Sequence, residues 1–240
     1  MKIDPEKCIA CLECIDFCPM NCIAAKDGGV EIDEDECVDC GVCLHTGVCP
    51  TDALYLPAEA SQYPRAIRAQ FSDPGVWHPS TNQGGRGTEE MKTNDVTGRF
   101  RREEFGMALE FGRPGTGARM SDLEKVLQAL IKMDVELETN NAVFAFLEEP
   151  LTGKVKPEFR NEKVLSAILE FKIREDQLER VVRQLQPVLA KLDTVVSWGL
   201  ASRFAEDGNL PVRTRLAALG VPARPNAKIN MGMGRPIVEP

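Results

Sequence analysis

Eight of the nine cysteines in this 240-residue chain stand in two runs of nearly identical spacing. The first, CIACLECIDFCP, places Cys8, Cys11 and Cys14 at every third position and then Cys18, followed by Pro19. The second, CVDCGVCLHTGVCP, repeats this with Cys37, Cys40, Cys43, Cys49 and Pro50, but sets five residues before its last cysteine where the first run has three. The repeat extends outward, since IDPEKC before Cys8 matches IDEDEC before Cys37, and CPMNCI matches CPTDAL. Disulfides fit poorly, because the chain is not a short secreted scaffold and reducing cytosol keeps thiols free. Zinc usually takes two ligand pairs in a tetrahedral site. Three thiolates at every third position instead wrap one corner of an iron–sulfur cube, and the more distant fourth points away towards another.

On these motifs residues 1–57 resemble a bacterial-type ferredoxin with two [4Fe–4S] clusters. The resemblance covers about a quarter of the chain. It implies two pseudo-symmetric halves, each a short strand, a cluster loop, a helical turn and a short strand. It assigns Cys8, Cys11, Cys14 and Cys49 to one cluster, and Cys37, Cys40, Cys43 and Cys18 to the other. Pro19 and Pro50 would end the ligand loops. The extra residues before Cys49 must bulge out, with Gly47 easing the turn. Cys22 aligns with Ala53 and reads as a small buried core residue, the alternatives being a redox thiol or a further ligand. His45, in the insertion, reads as an exposed loop residue, or else as a hydrogen-bond donor near a sulfur or a partner contact. The activity implied is the passage of single electrons. Eight matching thiolates leave no iron open to substrate, so no residue is expected to be catalytic.

The charge is uneven. Residues 1–57 hold three lysines against twelve acids, a net charge of −9, whereas the remainder is close to neutral at +1. Nucleic-acid binding is not expected of so acidic a surface; docking onto a basic patch of a redox partner is. No apolar run approaches the roughly 20 residues that cross a bilayer. The opening MKIDPEKC lacks the apolar stretch of a signal peptide, and a cytoplasmic location is expected.

The fold class expected is α+β, in four parts: the cluster domain at 1–57, an irregular linker or docking segment at 58–98, a βαββαβ domain at 99–205 and an extended arm at 206–240. Residues 57–98 are rich in Pro, Gly, Ser, Thr and Asn and have no sustained period. Their Tyr63, Phe71, Trp77 and His78 suggest an ordered segment packed on the second domain or on a partner. GGRG, Gly84 to Gly87, could surround an anion, though such clusters are usually turns. From Arg99 the periods become readable. EFGMALEF, NAVFAFLEE, KVLSAILEFKI and TVVSWGLASRF read as strands. SDLEKVLQALIKMD reads as a helix with Ser121 and Glu124 at capping-box spacing. REDQLERVVRQLQPVLAKLD reads as a second helix, which Pro187 should kink or split. This split βαβ order resembles the ACT-type regulatory modules in topology. In those, small ligands bind at the first strand–helix turn, here Gly112 to Arg119, with Arg113 and Arg119 as anion partners. The tail carries Ile229, Met231, Met233, Ile237 and Val238 as an arm for another subunit.

A free electron carrier needs only the first quarter of such a chain. The expected function is therefore an iron–sulfur electron-transfer subunit of a larger cytoplasmic oxidoreductase. Its partners in a hetero-oligomer would carry flavin, molybdenum, tungsten or further iron–sulfur centres. The alternative is a ligand- or redox-responsive regulator with its site at Gly112 to Arg119.

Overall fold

The computed structural model describes residues 1–84, 101, 103–221 and 223–224. The cysteine-rich end contains β1 (Lys2–Ile3), β2 (Ile23–Lys26), β3 (Gly29–Ile32), α1 (Val42–His45) and β4 (Leu54–Tyr55). β1 pairs with β4, tying the start of this body to its end, while β2 and β3 form a hairpin between the two cysteine runs. The hairpin turns at Asp27 and Gly28, both at positive φ, as a twist-matched two-residue loop requires. Only the second run carries a helix. The expected bulge before Cys49 is the four-residue α1 and a turn at Gly47, whose φ is +63°.

The middle segment holds a helix that its composition hid. α2 (Ala66–Ser72) lies among prolines, and its Ile67 and Phe71 are buried in the large core of the chain. Behind it, β5 (Trp77–His78) and β6 (Gln83–Gly84) make a short hairpin. Phe71 packs against His78 and Phe146, with ring centroids 5.3 and 5.9 Å away. Gly85 to Gly87 of the GGRG turn lie outside the described residues.

The large core belongs to a four-stranded antiparallel sheet. Its elements are β7 (Glu104–Phe111), β8 (Ala118–Arg119), α3 (Met120–Lys132), β9 (Glu136–Leu137), β10 (Lys163–Val164), β11 (Ala167–Arg174), α4 (Leu178–Leu189) and β12 (Val196–Ala201). The strand order is β12-β7-β11-β9. Phe105, Met107, Leu109 and Phe111 alternate along β7 into one cluster with Leu123, Val126, Leu127 and Leu130 of α3 and Leu178, Val181, Val182 and Leu185 of α4. Each such side chain contributes about 1.5–3 kcal/mol on burial.

Four local expectations give way to longer-range contacts. Residues 142–146 form a 3₁₀ turn in place of a strand. Asn141 caps it by accepting from the Val143 N–H, while its own amide donates to the Ile168 carbonyl. The strand position is filled by the two-residue β9. The capping box of α3 does not form, because Glu124 accepts from the Val155 N–H and pairs with Arg160 at 2.7 Å. KVLSAILEFKI is two strands, since β10 leaves to pair with β8 before β11 joins the sheet. Pro187 does not split α4, which ends two residues beyond it. α5 (Pro211–Ala218) lies in the tail, started by a proline at its first position. The apolar residues from Ile229 to Val238 lie outside the described residues.

The cysteine-rich body is fastened to the rest by the turn after β7 and by β8 and β10. A Cβ on Gly115 would lie 2.8 Å from the Pro19 carbonyl oxygen, and one on Gly117 2.8 Å from Met20 Cε. Lys163 and Arg119 both pair with Glu36. Gly112, at φ +86°, is the hinge of this turn, and an added Cβ would meet the Leu165 carbonyl oxygen at 2.5 Å. We predict that Gly112→Ala destabilises the protein by about 2 kcal/mol or more, combining left-handed strain with a backbone clash. Chemical denaturation of the two proteins measures this directly.

Candidate iron–sulfur sites

The sequence-predicted cysteines gather into two cavities. One, of about 330 Å³, is lined by Cys8, Cys11, Cys14 and Cys49, with Ile3, Ile9, Leu54 and other apolar groups around them. The other, of about 320 Å³, is lined by Cys18, Cys37, Cys40 and Cys43. Each cavity thus takes three cysteines from one run and the last cysteine of the other. Cys49 joins the first set despite its longer loop, because α1 absorbs the additional residues before Val48 and Cys49.

The two sites are related by the repeat down to single hydrogen bonds. The Ala53 N–H donates to Cys49 Sγ at 3.2 Å, and the Cys22 N–H donates to Cys18 Sγ at 3.4 Å. The same Cys-Pro-x-x-x spacing places both amides, one in each half. Such donors stabilise electron-rich sulfur and raise the potential of a bound cluster. Among the described residues no three His, Cys, Asp or Glu side chains group around a single-ion site. A chelated zinc would need all its sulfurs about 2.3 Å from one point. Four thiols spread around a cavity, with an apolar wall and amide donors to sulfur, suit a multi-atom cube.

Cys22 is buried as its alignment with Ala53 predicts, but it also lines the second cavity. Its Sγ is 3.4 Å from Cys18 Sγ. Hydrogen bonding to Cys18 and Cys37 pushes the Cys22 thiol well up, and the same bonds help draw Cys18 down to about 6 and Cys37 to about 7. Cys14, Cys40 and Cys43 are held up by burial, Cys43 to about 12, so only the charge of a bound metal would ionise them fully. We expect Cys22→Ala to retain the iron and sulfide content of the unaltered chain, as measured after anaerobic reconstitution. Loss of a cluster would show Cys22 to be a ligand.

Sequence reasoning did not find the polar groups behind the second cavity. Asp39, between Cys37 and Cys40, has a fully buried side chain that pairs with Arg65 at 2.7 Å and with the Met1 ammonium. Burial alone would raise its pKa, but the Arg65 and N-terminal cations outweigh burial and hold the carboxyl below its usual range. Arg68 of α2 donates to the carbonyls of Glu34 and Cys37 and pairs with Glu162 of the second body. His45 is exposed as expected, but it is the last residue of α1 and not a loop residue, and it is fixed 2.9 Å from the buried Asp73 carboxylate at the end of α2. These partners are 26 to 94 residues apart in sequence, and no local spacing announces them.

The turn Gly112 to Arg119 is taken up by packing. Arg119 donates to the Asn161 carbonyl and to Glu36, and Arg113 pairs with Glu110 at 3.3 Å. The glycines let its backbone approach Pro19, Met20 and Leu165.

Two thiol-lined cavities within one internally repeated body define an iron–sulfur protein. Comparison with known proteins agrees: a 4Fe-4S dicluster domain matches residues 7–56. A ferredoxin of Saccharopolyspora erythraea is 40% identical over 76 residues, 29% of this chain and 70% of that one. A 7Fe ferredoxin of Hydrogenibacillus schlegelii is 38% identical over 72 residues, 28% of this chain and 90% of that one. The pyruvate synthase subunit PorD of Methanothermobacter marburgensis is 44% identical over 57 residues, 24% of this chain and 64% of that one. The chain belongs, through this end, to the ferredoxin family. No solved structure matches it. No helix among the described residues is long and apolar enough to cross a membrane.

Proposed function

We propose that this chain is the iron–sulfur electron-transfer subunit of a larger cytoplasmic oxidoreductase. Cys8, Cys11, Cys14 and Cys49 hold one [4Fe–4S] cluster, and Cys18, Cys37, Cys40 and Cys43 hold the second. When bound, such clusters accept and donate single electrons at low potential. The chain's own residues provide thiolate ligands, amide donors to sulfur, an apolar wall that excludes water and a buried ion-paired support beneath Cys37 and Cys40. The observation that carries the reading is the sorting of these eight thiols into two separate cavities, each taking three from one run and the last of the other, with Cys22 as a fifth thiol beside the second set.

Membership of a complex is supported by the second body, C-terminal to the clusters. We read residues 99–205 as a βαββαβ sandwich of ACT-like topology, on the strength of the order β12-β7-β11-β9 with helices after β7 and β11. A body with no cysteine, fastened to an electron carrier by ion pairs at Arg68, Arg119 and Lys163, serves to fix that carrier in place. The likeness to PorD, by its name a subunit of an enzyme, favours the same role. The partner subunits would carry flavin or a metal centre.

The test is anaerobic reconstitution with iron and sulfide analysis and EPR of the reduced protein. We expect about eight irons per chain. Zinc, or a stable count of about four irons, would overturn the reading. The 7Fe relative makes a count of about seven the informative intermediate, which would replace one cube by a three-iron centre.

A further inference from the structure

The two cavities are not equally accessible, and we propose that electrons cross to a basic redox protein at the surface around Cys11. This rests on the two-cluster reading above. The cavity holding Cys18, Cys37, Cys40 and Cys43 faces the rest of the chain. Gly115 and Gly117 press on Pro19 and Met20, Arg68 reaches the Cys37 carbonyl, and Leu165 packs into the same cluster. Cys37, Cys40 and Cys43 are buried. The other cavity faces outward. Cys11 is exposed, and Ile9 and Leu12, which line the same cavity, are 63% and 43% exposed, with Phe17, 41% exposed, further along the same cysteine run.

Charge identifies the occupant of this face. Three of the five acids of the 33–39 loop are consumed internally: Glu34 pairs with Arg65, Glu36 with Arg119 and Lys163, and Asp39 with Arg65. Glu13 and Asp16, interleaved with Leu12 and Phe17, are exposed, and no cation lies within reach of either among the described residues. An apolar centre with an acidic rim complements an apolar patch ringed by lysine and arginine. A protein surface of that kind can bring its own centre close to Cys11 while the rim charges steer the encounter. Each productive encounter moves one electron from the reduced protein to the acceptor, with no bond or proton transferred.

The probe is a basic c-type cytochrome as one-electron acceptor, mixed by stopped flow with the reduced, fully reconstituted chain. We expect Glu13→Lys with Asp16→Lys to lower the second-order rate about tenfold at low salt, and to abolish its fall with rising salt. The milder Glu13→Gln with Asp16→Asn should give a smaller loss of the same kind. Glu148→Lys with Glu149→Lys, the same change of net charge on an exposed loop of the second body, should leave the rate unchanged. Iron content and the reduced EPR signal are recorded for every protein. Intact clusters with an unaltered rate in both rim variants, or an equal loss in the Glu148/Glu149 control, would overturn the docking surface alone. Missing clusters in the unaltered chain would overturn the functional reading and this inference with it.

Discussion

Replacing Cys49 by alanine should lower the iron content from about eight per chain towards about four, and should leave the cluster of the second cavity intact. The expectation is specific because Cys49 is the proposed ligand whose loop departs from the repeat. If the insertion had pulled Cys49 away, a three-cysteine cavity would be native and the substitution would change nothing. The structure instead places Cys49 with Cys8, Cys11 and Cys14, accepting the Ala53 amide as Cys18 accepts that of Cys22. An alanine at 49 leaves that cavity with three thiols and an amide without its sulfur. The reduced EPR spectrum should then lose the signature of two coupled centres and show the remaining one. Cys18→Ala should have the mirror effect, emptying the second cavity while the first keeps its set. Equal loss of both clusters in either variant would mean that the cavities fold only together.

The parts of the molecule readable from sequence are those where chemistry constrains residues close together in the chain. Thiols three apart, ending at a proline, have few other uses, and their duplication matches two cavities that are each lined by cysteines of both runs. Alternation was long enough to read at Phe105 to Phe111, and helical spacing at Leu123 to Ile131. α2 escaped because seven residues give only one full repeat of an apolar face, Ile67 and Phe71, amid turn-forming residues. The 3₁₀ turn at Ala142–Phe146 escaped because short apolar runs are ambiguous without their neighbours, and Asn141 decides the matter through a contact with Ile168. The acidic excess was visible, but its division into acids bound within the fold, as Glu34, Glu36 and Asp39 are by Arg65, Arg119 and Lys163, and acids facing solvent depends wholly on tertiary structure.

That division leads to the second large effect. Arg68→Ala should destabilise the folded protein by about 3–5 kcal/mol, whereas Arg119→Ala should cost about 1 kcal/mol or less. Both arginines join the cluster body to the second body, yet their surroundings differ. The Arg68 side chain is 9% exposed and its partner Glu162 12%, while Arg119 and Glu36 are 34% and 38% exposed. Removing Arg68 leaves a nearly buried carboxylate and two carbonyls, those of Glu34 and Cys37, without their donor. Removing Arg119 returns Glu36 to water with Lys163 still beside it. The consequence extends to the metal site, since Arg68 holds the backbone of Cys37, a proposed ligand. Arg68→Ala should therefore lose iron from the second cavity faster than from the first under chelator challenge, and Arg68→Lys should restore only part of the stability, having one donor group where three contacts are made. Denaturation midpoints and chelation kinetics of the three variants test the claim together. Equal costs at positions 68 and 119 would show that burial does not govern this interface.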